Sequence, residues 1–172
     1  MQSTGGCCQI VGDQLYFYVS GRQGVKGSKA DGRCTTSLAT LRRDGFTSMN
    51  AGSEPGTLTT RPLRFSGRHL FVNLKGDLQA EVLDETGKVM APFTMENSMA
   101  AQGDSTRMRM GWKGVDDLSS LAGKPVRLRF KLASGELYAF WVSASESGAS
   151  NGYAAAGGPG FKGLRDSPSL GQ

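Results

Sequence analysis

A single histidine, His69, accompanies 15 acidic and 20 basic side chains in a chain of 172 residues, and that scarcity bounds the chemistry at once. Gly148-Ala149-Ser150-Asn151-Gly152 matches the Gly-x-Ser-x-Gly elbow, in which a strand-to-helix turn lifts the serine beneath an oxyanion hole. No alternation of strands and helices surrounds it, and His69 lies upstream where that arrangement needs its histidine downstream. Gly158-Pro159-Gly160-Phe161-Lys162-Gly163 matches Gly-x-Gly-x-x-Gly, but Pro159 interrupts it and no helical pattern follows, so it reads as a glycine-rich tail. Cys7 and Cys8 are adjacent and Cys34 stands apart, which is no zinc spacing, and His69 completes none. A bridge to Cys34 is open on spacing alone; small buried thiols are the plainer reading. The sequence therefore offers no catalytic residue, no metal site and no cofactor fingerprint, and His69 reads as a surface histidine at a strand edge.

Glycoside hydrolysis needs two carboxyl groups a few ångströms apart. Asp44, Glu54, Asp84, Glu85, Asp116 and Asp117 are among those available, but all fall in turns or loops, where capping and solvation are the usual roles. Arg42, Arg43 and Asp44 form a charged knot at a change in the character of the chain, as a salt bridge at a domain junction would. Trp112, Tyr138 and Trp141 are candidate stacking platforms for a sugar, although Trp112 alternates with Met108 and Met110 and so has the pattern of a core residue. Arg107, Arg109, Lys113, Arg127, Arg129 and Lys131 form a basic ladder on an outward face. A solvated face that discourages edge pairing is its simplest reading.

These side chains need a β framework. Residues 14–20 and 36–43 read as strands around a glycine-rich loop at 21–35. Two strands cannot bury a face alone, so this part of the chain calls for neighbours. Residues 69–74, 78–83, 106–113 and 126–132 alternate apolar and polar, and Leu78, Ala80 and Val82 face inward as do Val126, Leu128, Phe130 and Leu132. Residues 91–104 read as a long loop, Asp116–Ala122 as a single helical turn, and Ser134-Gly135 as a tight turn into Glu136–Val142, which is apolar on both faces. After Ser143 the composition turns to Gly, Ala and Ser; Tyr153 and Phe161 are candidates to anchor this stretch back on the surface, and the end from about Leu164 reads as loose.

With 25 glycines, a modest 38% hydrophobic content and no sustained helical period, the chain reads as all-β with many turns. The net charge of +5 permits a polyanion, but the basic residues form no block and are not interleaved with aromatics, so no nucleic acid is expected. No apolar run is long enough to span a membrane, and the first residues have neither the basic nor the apolar region of a signal peptide.

Five segments carry a resemblance: Gly12–Arg22 (GDQLYFYVSGR), Ser37–Met49 (SLATLRRDGFTSM), Gly56–Asn73 (GTLTTRPLRFSGRHLFVN), Leu121–Phe130 (LAGKPVRLRF) and Leu137–Ser143 (LYAFWVS). They resemble a group of bacterial proteins similar to glycoside hydrolase family 32, with a five-bladed β-propeller followed by a C-terminal β-sandwich. The resemblance implies an antiparallel, jelly-roll-like β-sandwich preceded by a partial β-propeller blade: residues 1–44 the blade, 45–143 the sandwich and 144–172 a Gly/Ser-rich tail. The catalytic stretches of that family, Trp-Met-Asn-Asp-Pro-Asn, Arg-Asp-Pro and Glu-Cys, have no counterpart here; Arg43-Asp44-Gly45 is not Arg-Asp-Pro, and at most the resemblance implies that Arg42, Arg43 and Asp44 line the substrate funnel of the parent's active site, a salt bridge at the domain junction being the equal alternative. The implied function is the C-terminal region of a glycosidase, structural and carbohydrate-contacting but not catalytic by itself, with the missing propeller as its partner and any export signal in the parent protein. The alternative is a stand-alone carbohydrate-binding β-sandwich.

Overall fold

The computed structural model describes residues 3–22, 34–154 and 157–167. Among them every regular element is a strand except one 3-10 turn, Ser119–Leu121, and every strand pairing is antiparallel, so the expected all-β, sandwich-like class holds. The loop expected at 21–35 falls largely on residues 23–33, outside the described residues, as does the end of the tail at 168–172.

The chain divides into two compact units, Met1–Arg43 with Asn151–Asp166, and Asp44–Ser150 with Ser167–Gln172. Of the two aromatic anchors expected in the stretch after Ser143, Phe161 packs on the first unit's core and Tyr153 is exposed. The segment Asn151–Asp166 belongs to the first unit, because it supplies that unit with core and with backbone partners.

In the first unit, β3 (Gln14–Arg22) is the central strand. The short strands β1 (Ser3–Thr4) and β2 (Gln9–Val11) lie along one edge, and β4 (Cys34–Arg42) pairs with the other through nine consecutive residues, Gln14 opposite Arg42 to Arg22 opposite Cys34. Its core is small: Ile10, Leu15 and Ala154 are buried, with Cys8, Phe17, Leu41 and Phe161 packed around them. The Ile10 amide donates to the Gly157 carbonyl, and Ala154 and Asp166 donate to Leu164 and Gly152, so residues 151–166 fold back as a closed loop over this core. β4 is exposed from Cys34 to Thr40, on both its faces, and no described strand lies along its outer edge. No disulfide links the cysteines; Cys7 and Cys34 are exposed and Cys8 is half-buried, so burial of all three thiols does not hold.

In the second unit, β5 (Met49–Ala51), β6 (Gly56–Thr59), β7 (His69–Leu83), β9 (Ala101–Arg109) and β11 (Arg127–Ser143) form one curled sheet. β5 and β6 share one edge of β11, β7 takes the other, and β9 follows β7. A two-stranded sheet of β8 (Ser98–Met99) and β10 (Gly111–Trp112) adds to it. The loop expected over 91–104 therefore contains strand.

The largest departure from the sequence pattern is that the tight turn expected at Ser134-Gly135, and the break between the runs 69–74 and 78–83, are bends within continuous strands. Ala133 pairs with Asp77 and Glu136 with Lys75, so two residues of β11 face the single Gly76 of β7, a β-bulge. Gly76 sits at φ +116, Ser134 at φ 48, and a Cβ on Gly135 would run into the Lys75 carbonyl oxygen. Glycine on both strands at the crossing lets them fold over together. Ten residues of straight strand would span about 33 Å; the rings of Phe130 and Phe140 have centroids 5.2 Å apart. The sheet thus curls over and buries Phe130, Val72, Val82, Val126 and Leu128 completely. Each such side chain contributes about 1.5–3 kcal/mol.

A second bulge, between Leu137 and Ala139, leaves Tyr138 as the extra residue. Leu137, Phe140 and Val142 then all meet the core while Trp141 turns to the opposite face. That explains why this strand reads as apolar on both sides.

Candidate functional site

Of the candidates Arg42, Arg43 and Asp44, the two arginines belong to the first unit and Asp44 begins the second. Arg42 ends β4 opposite Gln14, and Asp44 is an exposed turn residue at φ 52. Arg43 Nη2 lies 2.9 Å from Asp166 Oδ1, its guanidinium sits 5.7 Å from the centre of the Phe161 ring, and its amide donates to the Asp13 carbonyl. Both charged side chains of that pair are mostly buried, so Arg43 pins the returning segment to the first unit.

Among the aromatic candidates, Trp112 is 3% exposed, meets Phe93 edge-on and donates from Nε1 to the Ala80 carbonyl. It is a core residue and presents no face to a sugar. Tyr138 is half-buried and its hydroxyl donates to Glu136. Trp141 stacks on Phe71 at 5.7 Å and donates to the Gly148 carbonyl. One of its faces is therefore taken by Phe71.

The residues after β11 lie back over that stack as a strap. Ser143 Oγ donates to the Ala149 carbonyl and accepts from the Ser145 amide, and Ser145 Oγ accepts from the Ser147 amide. The spacing Ser-x-Ser-x-Ser is a chain of side-chain turns. Gly148, at φ +77, closes the strap against Phe71 and Arg107, where a Cβ would stand 2.9 Å and 2.8 Å from their carbons.

Most of the basic ladder is spent inside the second unit. Arg129 Nη1 lies 2.7 Å from Glu81 Oε1, a carboxylate 7% exposed, and Arg129 Nε donates to Thr59 Oγ1. Arg127 donates to the carbonyls of Glu85 and Thr60. Two of the candidate carboxylates hold turns: Asp84 accepts from the Thr86 hydroxyl and the Lys88 amide, Asp117 from the Ser119 amide. These bonds hold both carboxyls below their usual range, with the Thr86 and Ser119 hydroxyls as the leading causes.

The sequence misplaces His69. It is 6% exposed, buried at the start of β7 opposite Ser143, not a surface residue. Arg68, His69, Arg109, Asp116 and Asp117 line a small open cleft whose floor includes Leu70, Met110, Trp112 and Leu118. Its enclosed space is about 10 Å3, the room of one water-sized group. Arg109 lies 3.6 Å from Glu146 on the strap and donates to the Asp116 carbonyl at 3.2 Å; Arg68 lies 4.0 Å from Asp117. His69 Nδ1 is buried without a hydrogen-bond partner among the described residues. Leaving such a group unpaired costs about 1–3 kcal/mol. Burial, and then the charge of Arg109, hold the imidazole below its ordinary value, so it is neutral near pH 7. The cleft joins residues from the start of β7, from the end of β9 through β10 and from the loop before the 3-10 turn, which no local pattern connects.

Among the described residues no three His, Cys, Asp or Glu side chains converge to hold a metal ion, and no helix is long and apolar enough to cross a membrane. No family model, no curated protein and no solved structure matches the chain.

Proposed function

We propose that this chain is a non-catalytic part of a larger carbohydrate-active protein on the plan of glycoside hydrolase family 32. Its first unit contributes strands to a propeller, and its second is the accessory sandwich that contacts saccharide. The observation that carries the reading is β4, exposed on both faces from Cys34 to Thr40 beside a core of three buried residues. A strand in that state gains from further pairing and cover. A propeller blade is a four-stranded sheet covered by its neighbours, and β1 to β4 have the antiparallel layout of an incomplete one. Hydrolysis in this account belongs to the catalytic stretches of the propeller.

The test is to read the coding frame upstream of Met1 and to express the longer product beside this chain. The longer protein is expected to carry four-stranded repeats and to hydrolyse sucrose or a related fructoside, while this chain alone gives no turnover. Hydrolysis by this chain, or a frame without such repeats, overturns the reading.

A further inference from the structure

We propose that β4 pairs along its outer edge with β4 of a second copy of this chain, the two strands antiparallel about a twofold axis at Leu38. The inference goes beyond the function proposed above: it says what this chain does with that edge when no further blade strand is joined to it. The edge is open and unguarded. Natural sheet edges are kept from pairing by shortness, charge, proline or a bulge. The other edge strands of the two larger sheets conform: β1, β2, β5 and β6 have two to four residues, and β9 carries Asp104, Arg107 and Arg109 and a break in register. β4 is nine residues long, pairs with β3 without a bulge, and holds neither charge nor proline from Cys34 to Leu41.

The sequence of the strand selects a second copy as the occupant, because it is nearly palindromic in size about Leu38. A twofold contact is self-complementary: where one residue meets another, the reverse pair also forms. Centred on Leu38, the antiparallel register sets Leu38 opposite Leu38, Ser37 opposite Ala39, Thr36 opposite Thr40 and Cys34 opposite Arg42. Small meets small, threonine meets threonine, a pair that sheets favour, and Arg42, the one charge on the strand, meets no like charge. The backbone agrees. The Arg43 amide donates to the Asp13 carbonyl, so the alternation along β3 and β4 turns the amides of Thr36, Leu38 and Thr40 outward. In this register those are the residues that exchange hydrogen bonds with the second copy. The side chains agree as well. Tyr18 and Leu38 stand directly opposite each other on β3 and β4, on the face away from Leu15 and Phe17, and are 53% and 46% exposed. Pairing joins them to their copies as one apolar row across four strands.

The test is sedimentation of the intact chain from about 1 μM to about 1 mM, with amide exchange in β4 followed alongside. Reductant is present because Cys7 and Cys34 are exposed. The dilute chain is expected as a monomer whose Thr36, Leu38 and Thr40 amides exchange freely. The concentrated chain is expected as a dimer in which those amides slow at least roughly tenfold. Leu38→Lys and Leu38→Glu each set like charges face to face across the axis and should each weaken the dimer roughly tenfold or more. An equimolar mixture of the two variants should restore it, since lysine then meets glutamate. Leu38 lies outside the first unit's core, and the amides of Ser37 and Ala39, turned toward β3, report that the variants fold. A monomer at every concentration, a dimer whose three amides stay open, or a mixture no tighter than its parts overturns the proposal. None of these outcomes bears on the saccharide-contacting reading, which fails instead on turnover by this chain.

Discussion

β11 and β4 are both long strands, Arg127–Ser143 and Cys34–Arg42, yet one is threaded through a core and the other is exposed over most of its length. β11 has β7 along one edge and β5 with β6 along the other, and its bulges fold it so that Phe130 and Phe140 meet. β4 has only β3 among the described strands, pairs with it without a bulge, and stays uncurled over a core of Ile10, Leu15 and Ala154. Curling, more than strand length, decides burial. The second unit gains it by bending at glycine, and in the first no described strand pairs with the outer edge of β4, exposed from Cys34 to Thr40.

The comparison breaks most visibly at the bend. Gly135→Ala puts a Cβ into the Lys75 carbonyl and should cost the second unit about 3 kcal/mol or more. Trp112 and Trp141 are the only two tryptophans and both lie in this unit, so thermal unfolding followed by tryptophan fluorescence reads that loss. An unchanged midpoint would mean that the bend does not need glycine. Leu15→Ala removes a large part of the small core and should cost the first unit about 2–3 kcal/mol. Amide exchange in β2, β3 and β4 should accelerate while the tryptophan-monitored midpoint stays put. A shared loss would join the two units into one cooperative system.

Smaller effects sharpen the contrast. Arg43→Gln removes the ion pair with Asp166 and the contact over Phe161 and should cost about 1 kcal/mol, seen as faster exchange at Ala154 and Asp166. No change at those amides would mean that the returning segment is held by its backbone bonds alone. The smallest effect concerns pH. Burial and Arg109 lower the folded pKa of His69, so the stability this group contributes is complete above the ordinary value of about 6.5 and is lost as pH falls through the folded value. The imidazole should titrate below about 6.5 by NMR, and His69→Phe should flatten the acid side of the tryptophan-monitored stability profile. A midpoint at or above the ordinary value would contradict the burial of the ring.

The contrast also explains what could be read from the sequence. Leu78-Ala80-Val82 and Leu128-Phe130-Leu132 alternate and are buried, because a half-covered strand writes its pattern in neighbouring residues. Ser134-Gly135 reads as a tight turn because glycine marks a turn and a bulge alike. The long strands were therefore read as pairs of short ones. The extra residue Tyr138 shifts the alternation by one and hides the core face of β11. Arg43 looked like a site residue or a junction lock; its partners, Asp166 and Phe161, lie more than a hundred positions away in a stretch read as tail. His69 was the hardest case. Its neighbours come from Val115–Leu118 and from Ser143 at the end of β11, and nothing next to it in sequence signals burial.

The open sheet of the first unit is tested most directly by residue-resolved hydrogen exchange across β4 in the intact chain. In an antiparallel pair, alternate amides of an edge strand bond to the neighbour and the rest face outward. The account predicts that pattern from Thr35 to Leu41, with every second amide exchanging at close to the unprotected rate while the amides of β7 and β11 are protected. Uniform protection along Thr35–Leu41, at the level of β7, would contradict it.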